Sequence, residues 1–268
     1  MKKLLSILLV LLVLVGCGSG KDQTDDLEKI VIGGTALPHA DFLKQLKAPL
    51  KALGYDLEVI EFDDYVAPNA SLESGELDAN YFQHTPYLNN FNEEHGTDLV
   101  PLIQVHYEPI AIYSGLKTTL ADVADGDVIV VPDDATNLPR ALKLLEEIGW
   151  IKLNPNNRDT STLNDITEYA YDIEIRLASA ENTPKLLDSA AYGIVNGNYA
   201  LAGGITNRGI QAEPIDDVTI ANIVNIVAVR AGETETAKSK AIIAAFNDES
   251  VKKYIAETFA PAVISTLD

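Results

Sequence analysis

Val128-Ile129-Val130-Val131 is an unbroken apolar run that stops at Pro132-Asp133-Asp134. A strand that is apolar on both faces has to be covered on both, which is the signature of a parallel sheet with helices on each side. The surrounding chain has the matching rhythm. From Lys29 onward, extended runs alternate with helical ones: Ile30-Val31-Ile32, then a helix over 38–53 with Leu43, Leu46, Leu50 and Leu53 on one face and Gly54 as its stop, then Leu57-Glu58-Val59-Ile60. Further strands are expected over 77–82, 99–105, 109–114, 173–177, 192–195 and 223–230. Helices are expected over 68–74, 85–94, 181–188 and, in two parts, 234–258. This alternation places the chain in the α/β class. The extended run from Leu99 to Ser114 is split at Glu108-Pro109, where the chain can leave one lobe for another.

The first residues do not belong to that pattern. Lys2 and Lys3 precede an apolar run from Leu4 to Val15, too short for the ~20 residues that span a bilayer, and Gly16-Cys17 follows. A basic start, a short apolar stretch and small residues before a cut point describe an export signal over residues 1–16. The only cysteine then stands where a lipoprotein signal is cleaved, resembling a lipobox, so Cys17 is expected to carry the lipid. Residues 17–27, small and polar, read as a tether. The formal net charge of −20 argues against a nucleic-acid partner. With one cysteine no internal disulfide is possible, and roughly 240 folded residues bury a sufficient core without one.

Polar groups and aromatics gather where strands end. Asp78 to Asn90 holds three aromatics, a histidine and four amides; its strand ends at Phe82, Gln83 and His84, and a helix follows with Thr85 as expected N-cap, Pro86 at its first position and Gly96 at its close. The carboxyl ends of strands are where open α/β sheets hold ligands. Tyr65 follows the second strand, and Asn198 the strand at 192–195. Asn225 stands among apolar neighbours, where a buried amide needs a partner. Asn137 is the expected N-cap of a helix through Leu142, Leu145 and Ile148. Arg140 then falls in the first turn, where the helix dipole disfavours a cation unless an anion binds there too. A surface pairing with Asp133 or Asp134 is the simpler alternative.

None of these groups is an activated nucleophile. The chain has no Gly-x-Ser-x-Gly elbow, no phosphate-cradling loop with a lysine, and no Cys or His pair at metal-ligand spacing, so neither catalysis nor a metal or other cofactor is expected. A binding site accounts for the residues better. One arginine suits a carboxylate, amide oxygens suit an ammonium group, and the rings of Tyr65 and Phe82 suit an apolar or thioether side chain. Together they describe a free α-amino acid; a sulfonate or a small dicarboxylate would use Arg140 but leave the amides idle.

Four segments carry a resemblance: Asp78-Ala79-Asn80-Tyr81-Phe82-Gln83-His84, Pro86-Tyr87-Leu88, Asp134-Ala135-Thr136-Asn137 with Arg140-Ala141-Leu142, and Asn196-Gly197-Asn198-Tyr199-Ala200. In these the sequence resembles the methionine-binding lipoproteins of ABC importers, the NlpA family, over nearly the whole chain from Cys17. It departs from the usual pattern at Thr85, where a lysine is common. The resemblance implies a two-lobed periplasmic-binding-protein-like fold of type II, with lobe 1 over 28–107 plus 232–268 and lobe 2 over 108–231, and the ligand between them. It implies that Tyr65, Phe82, His84, Arg140, Asn198 and Asn225 contact methionine, with Arg140 on the carboxylate. Tyr81 and Tyr87 are left with structural roles. A lipid-anchored monomer outside the cytoplasm, serving an ABC permease and its ATPase, is the implied setting. The same fold with D-methionine, a methionine dipeptide or another amino acid as ligand, or a lipoprotein with an adhesion role, are the alternatives.

Overall fold

The computed structural model describes residues 27–215 and 217–267. The leader and Cys17 lie outside the described residues. Strand β1 (Glu28–Thr35) leads through an irregular turn at Ala36–Ala40 into α1 (Asp41–Gln45) and α2 (Lys47–Ala52), so the single helix expected over 38–53 is three short pieces. The apolar spacing is nonetheless used, because Leu43, Leu46 and Leu50 are fully buried on one side. Strand β2 (Tyr55–Phe62), α3 (Ala67–Glu73), β3 (Ala79–His84), α4 (Thr85–His95) and β4 (Val100–Tyr107) complete the first pass through lobe 1.

Glu108-Pro109-Ile110 carries the chain across. Lobe 2 holds β5 (Ala111–Ser114), β6 (Val128–Pro132), α5 (Asn137–Glu147), a hairpin of β7 (Ile151–Leu153) and β8 (Ile166–Tyr169), β9 (Glu174–Ala178), β10 (Tyr192–Val195), α6 (Gly197–Ala202) and β11 (Gly209–Ala212). Where a helix was expected over 181–188, the chain makes two 3-10 turns, Ala180–Asn182 and Pro184–Ser189. The return leads through α7 (Asp217–Ile223) to β12 (Asn225–Val229), and α8 (Ala237–Phe246), α9 (Glu249–Thr258) and β13 (Ile264–Ser265) finish lobe 1.

Each lobe is a mixed sheet. In the first the order is β13-β4-β12-β3-β1-β2, in the second β11-β5-β10-β6-β9. Strand β1 runs parallel to β2 and β3, and β6 parallel to β9 and β10, as the apolar runs imply. Strand β12 lies antiparallel between β3 and β4, which sets Asn225 level with His84 on one side and His106 on the other. That strand therefore sits in the lobe 1 sheet, whereas a division after Arg230-Ala231 would give it to lobe 2. Its period gave no warning, because a continuous apolar strand fits the middle of either sheet.

Separate cores fix the lobes. Ile30, Ile32, Phe42, Leu43, Tyr81 and Phe246 pack in lobe 1, and Ile129, Val131, Leu142, Leu145, Trp150 and Tyr192 in lobe 2. Each such side chain gives about 1.5–3 kcal/mol on burial. Glycine is required at Gly34, where a Cβ would lie 2.7 Å from the Tyr81 carbonyl oxygen. The two crossings are tied to each other: Glu213, just after β11, accepts from the Ile110 N–H at 2.9 Å, and its own N–H donates to the Ile110 carbonyl at 3.0 Å.

Candidate ligand-binding site

Strand β3 is buried along its whole length and ends in the cleft. Its amides are settled among themselves: Gln83 Nε2 donates to Asn69 Oδ1 at 2.7 Å and Asn80 Oδ1 at 3.0 Å, while Asn69 Nδ2 donates back to Gln83 Oε1 at 2.8 Å. This closed network holds the strand end rigid and leaves Phe82 and His84 to face the cleft. His84, not Thr85, is the N-cap of α4, because its ring Nδ1 accepts the Tyr87 N–H at 3.1 Å. With Nδ1 accepting, the ring proton is on Nε2, which donates to Asn137 Oδ1 across the cleft at 3.4 Å. Burial, and then the charge of Arg140, hold His84 down at about 4, so it is neutral at neutral pH.

A narrow cavity of about 30 Å³ lies between the lobes. Tyr65, Phe82, His84, Arg140, Asn198 and Asn225, all six residues singled out in the sequence, line it. One side is aromatic. The Tyr65 ring lies 5.7 Å from Phe82, 5.6 Å from Tyr87 and 4.9 Å from Tyr199, centre to centre. Tyr87, given a structural role from the sequence, is on the cavity wall; Tyr81 is fully buried beneath it, bonded to His106.

The rest of the lining is polar. Asp134 Oδ1 accepts the N–H groups of Thr136 and Asn137, so the aspartate, not Asn137, satisfies the start of α5. Asn137 Oδ1 is thereby free to accept Arg140 Nη1 at 2.9 Å. Arg140 pairs with neither Asp133 nor Asp134. Its Nε donates to Glu213 Oε2 at 3.2 Å and its Nη2 to Glu213 Oε1 and, at 3.4 Å, to the Glu108 carbonyl. Burial works against the Arg140 charge, but the Glu213 carboxylate outweighs it and holds the guanidinium a cation. Asn198 spans the cleft, Oδ1 accepting the Tyr65 hydroxyl at 2.6 Å and Nδ2 donating to Thr35 Oγ1 at 3.3 Å. The Tyr199 hydroxyl donates to the Asp63 carbonyl at 3.1 Å, closing the same gap.

Beneath the cavity is a buried cluster that the scattered histidines did not announce. His39 Nε2 meets Asn225 Oδ1 at 3.1 Å and its Nδ1 meets Thr35 Oγ1 at 2.8 Å. His106 bonds Tyr81 through Nδ1 and Glu108 through Nε2. The polar atoms of His39, His106 and Glu108 lie within 4.8 Å of one another, and all four ring nitrogens are hydrogen-bonded. Burial pushes Glu108 up to about 7 and holds His39 and His106 down at about 4 and about 3. Glu108 also lines the cavity, as do Asn137 and Asn196. The sequence signals for these were weak: an acid just before the crossing proline, an amide one turn from Arg140, and the first asparagine of Asn196-Gly197-Asn198.

A cavity with a cationic fork, convergent amides and an aromatic wall, set between two α/β lobes, has relatives. A family model described as NlpA lipoprotein matches residues 30–267. The chain belongs to the NlpA lipoprotein family. Among curated members it is 35% identical to the methionine-binding lipoprotein MetQ of Bacillus subtilis, over 94% of this chain and 93% of that protein. A nutrient-binding protein from Burkholderia cenocepacia, solved bound to methionine, has the same fold with a TM-score of 0.83 at 32% identity, covering 89% of this chain and all of that one. The substrate-binding protein of a methionine transporter from Streptococcus pneumoniae superposes with a TM-score of 0.82 at 30% identity, over 89% of this chain and 95% of that one. The NlpA fold is thus the two-lobed, periplasmic-binding-protein-like one, as the sequence resemblance implied.

Proposed function

We propose that this protein is a lipid-anchored, extracytoplasmic substrate-binding protein that captures L-methionine and delivers it to an ABC permease driven by an ATPase. It acts as a monomer, without catalysis and without a cofactor, held to the membrane through Cys17. The observation that carries the reading is the mix of residues that lines the cavity. It brings together the rings of Tyr65, Phe82 and Tyr87, against which a thioether gains roughly 0.3–1.5 kcal/mol per sulfur–aromatic contact. Arg140 and the asparagines line the same cavity and suit a carboxylate and an ammonium group. The six residues Tyr65, Phe82, His84, Arg140, Asn198 and Asn225 contact the ligand, with Arg140 on its carboxylate. The methionine-binding relatives support the same ligand.

A thermal-shift panel tests the reading with L-methionine, D-methionine, methionine dipeptides and other amino acids. A ligand at 100 times its dissociation constant stabilises the folded state by about 2.7 kcal/mol. The largest shift is expected with L-methionine. A larger shift with another member would reassign the ligand, and no shift across the panel would favour an adhesion role.

A further inference from the structure

The amide oxygens on the cavity wall are nearly all committed. Asn198 Oδ1 accepts the Tyr65 hydroxyl, Asn225 Oδ1 is bonded to His39, Asn137 Oδ1 takes Arg140, and Gln83 Oε1 takes Asn69. Asn196 differs. It is 7% exposed, it lines the cavity, and its Oδ1 is buried with no hydrogen-bond partner among the described residues. Among the described residues one other buried side-chain atom is orphaned, Thr266 Oγ1, and that residue follows β13 and does not line the cavity.

The local structure makes this orphan unusual. Asn196 precedes α6 in extended conformation, at the position where an asparagine normally turns its oxygen onto the next free N–H groups. Here it makes no such bond, and only its main-chain carbonyl joins the helix, accepting the Ala200 N–H at 3.0 Å. The segment is closely packed. A Cβ on Gly197 would fall 2.9 Å from Glu108 Cβ and 3.0 Å from Glu108 Oε2, so this segment is seated directly on the first crossing. A buried carbonyl oxygen without a donor is costly, and one held rigidly on a ligand cavity is matched to a donor brought by the ligand.

We infer that Asn196 Oδ1 accepts an N–H of the ligand's ammonium group, which makes Asn196 a specificity-determining residue for acids that carry a free α-amine. The inference rests on the amino-acid reading of the cavity and adds a residue to it. The carboxylate end is handled by Arg140, so the selection exerted by Asn196 falls on the amine alone.

A double-mutant cycle between protein and ligand isolates that contact. The full chain and its Asn196→Ala variant are titrated with L-methionine and with 4-(methylthio)butanoate, the same acid with hydrogen in place of the amine. Loss of one charge-assisted hydrogen bond is expected to weaken L-methionine about 10-fold or more, and the des-amino acid less than about 2-fold. Asn196→Ser, whose shorter side chain is withdrawn from the ligand and can cap α6 as the asparagine does not, is expected to give the same pattern with a melting temperature no lower than that of the unaltered chain. Equal weakening of both ligands, or no weakening of either, overturns the inference while leaving the amino-acid reading in place. If the unaltered chain binds neither L-methionine nor any other α-amino acid, the reading of the cavity falls and the inference with it.

Discussion

Arg140 donates to both carboxylate oxygens of Glu213, so the guanidinium on the cavity wall already has a counter-ion inside the protein. Of the five N–H donors of an arginine, Nε and both Nη2 hydrogens are engaged with Glu213 and the Glu108 carbonyl, and one Nη1 hydrogen with Asn137. The remaining Nη1 hydrogen is what Arg140 can offer to a ligand carboxylate without breaking a bond. Glu213 therefore aims the cation, since it is itself fixed to the crossing at Ile110 and to the Tyr107 hydroxyl at 3.1 Å.

Glu213→Gln keeps the shape and removes the charge. Breaking one half of a buried ion pair typically costs 3–5 kcal/mol, so the ligand-free variant should melt well below the unaltered protein. Its stabilisation by saturating ligand should exceed the unaltered protein's, because a ligand carboxylate then supplies the missing counter-charge. Thermal denaturation with and without L-methionine checks both halves; a variant as stable as the original would show that Arg140 does not depend on Glu213.

Acid should weaken the fold. His39, His84 and His106 are held by burial at about 4, about 4 and about 3, below their ordinary 6.5. Their folded values lie below the unfolded one, so they cost nothing above pH 6.5, and the penalty grows as the pH falls towards 4 and the unfolded chain takes up protons. Glu108 has the opposite sign: raised to about 7 from 4.5, its penalty is absent below 4.5 and complete above 7. Between pH 6.5 and 4.5 the two effects oppose, and three histidines outweigh one glutamate. The urea midpoint is expected to fall from pH 7 to pH 5, and a midpoint that climbs over that range would mean the histidines are not buried neutral.

Closure depends on few bonds. The Tyr65 hydroxyl joins lobe 1 to Asn198 in lobe 2 at 2.6 Å, and the same ring forms the aromatic wall. Tyr65→Phe removes the first role and keeps the second. One neutral hydrogen bond is worth about 0.5–1.5 kcal/mol, so affinity should drop by roughly 2- to 10-fold, with less compaction on ligand addition in small-angle scattering. An unchanged affinity would assign the tyrosine to packing alone.

Much of the cavity lining was legible because strand ends announce themselves. Phe82, His84 and Asn198 are visible as polar or aromatic residues directly after apolar runs, and the α/β rule says where such ends meet. Arg140 stood out because a first-turn cation lacks a local reason. The partners were not legible: Glu213 is 73 residues beyond Arg140, and His39 reaches Asn225 over 186. Such pairs exist only once the crossings are folded. The N-cap at His84 was hidden for a different reason, since an imidazole nitrogen does there what Ser, Thr, Asp or Asn usually does. Asn196 could not be told from Asn198 by composition, because the difference lies in which oxygen already has a donor.

The most direct measurement is a calorimetric titration with L-methionine of the unaltered protein beside Arg140→Ala. The account predicts saturable binding in the first, and at least ~10-fold weaker binding in the second, since a charge-assisted hydrogen bond is worth roughly 1.5–3 kcal/mol. Equal affinities in the two proteins, or no binding by the unaltered one, would contradict it.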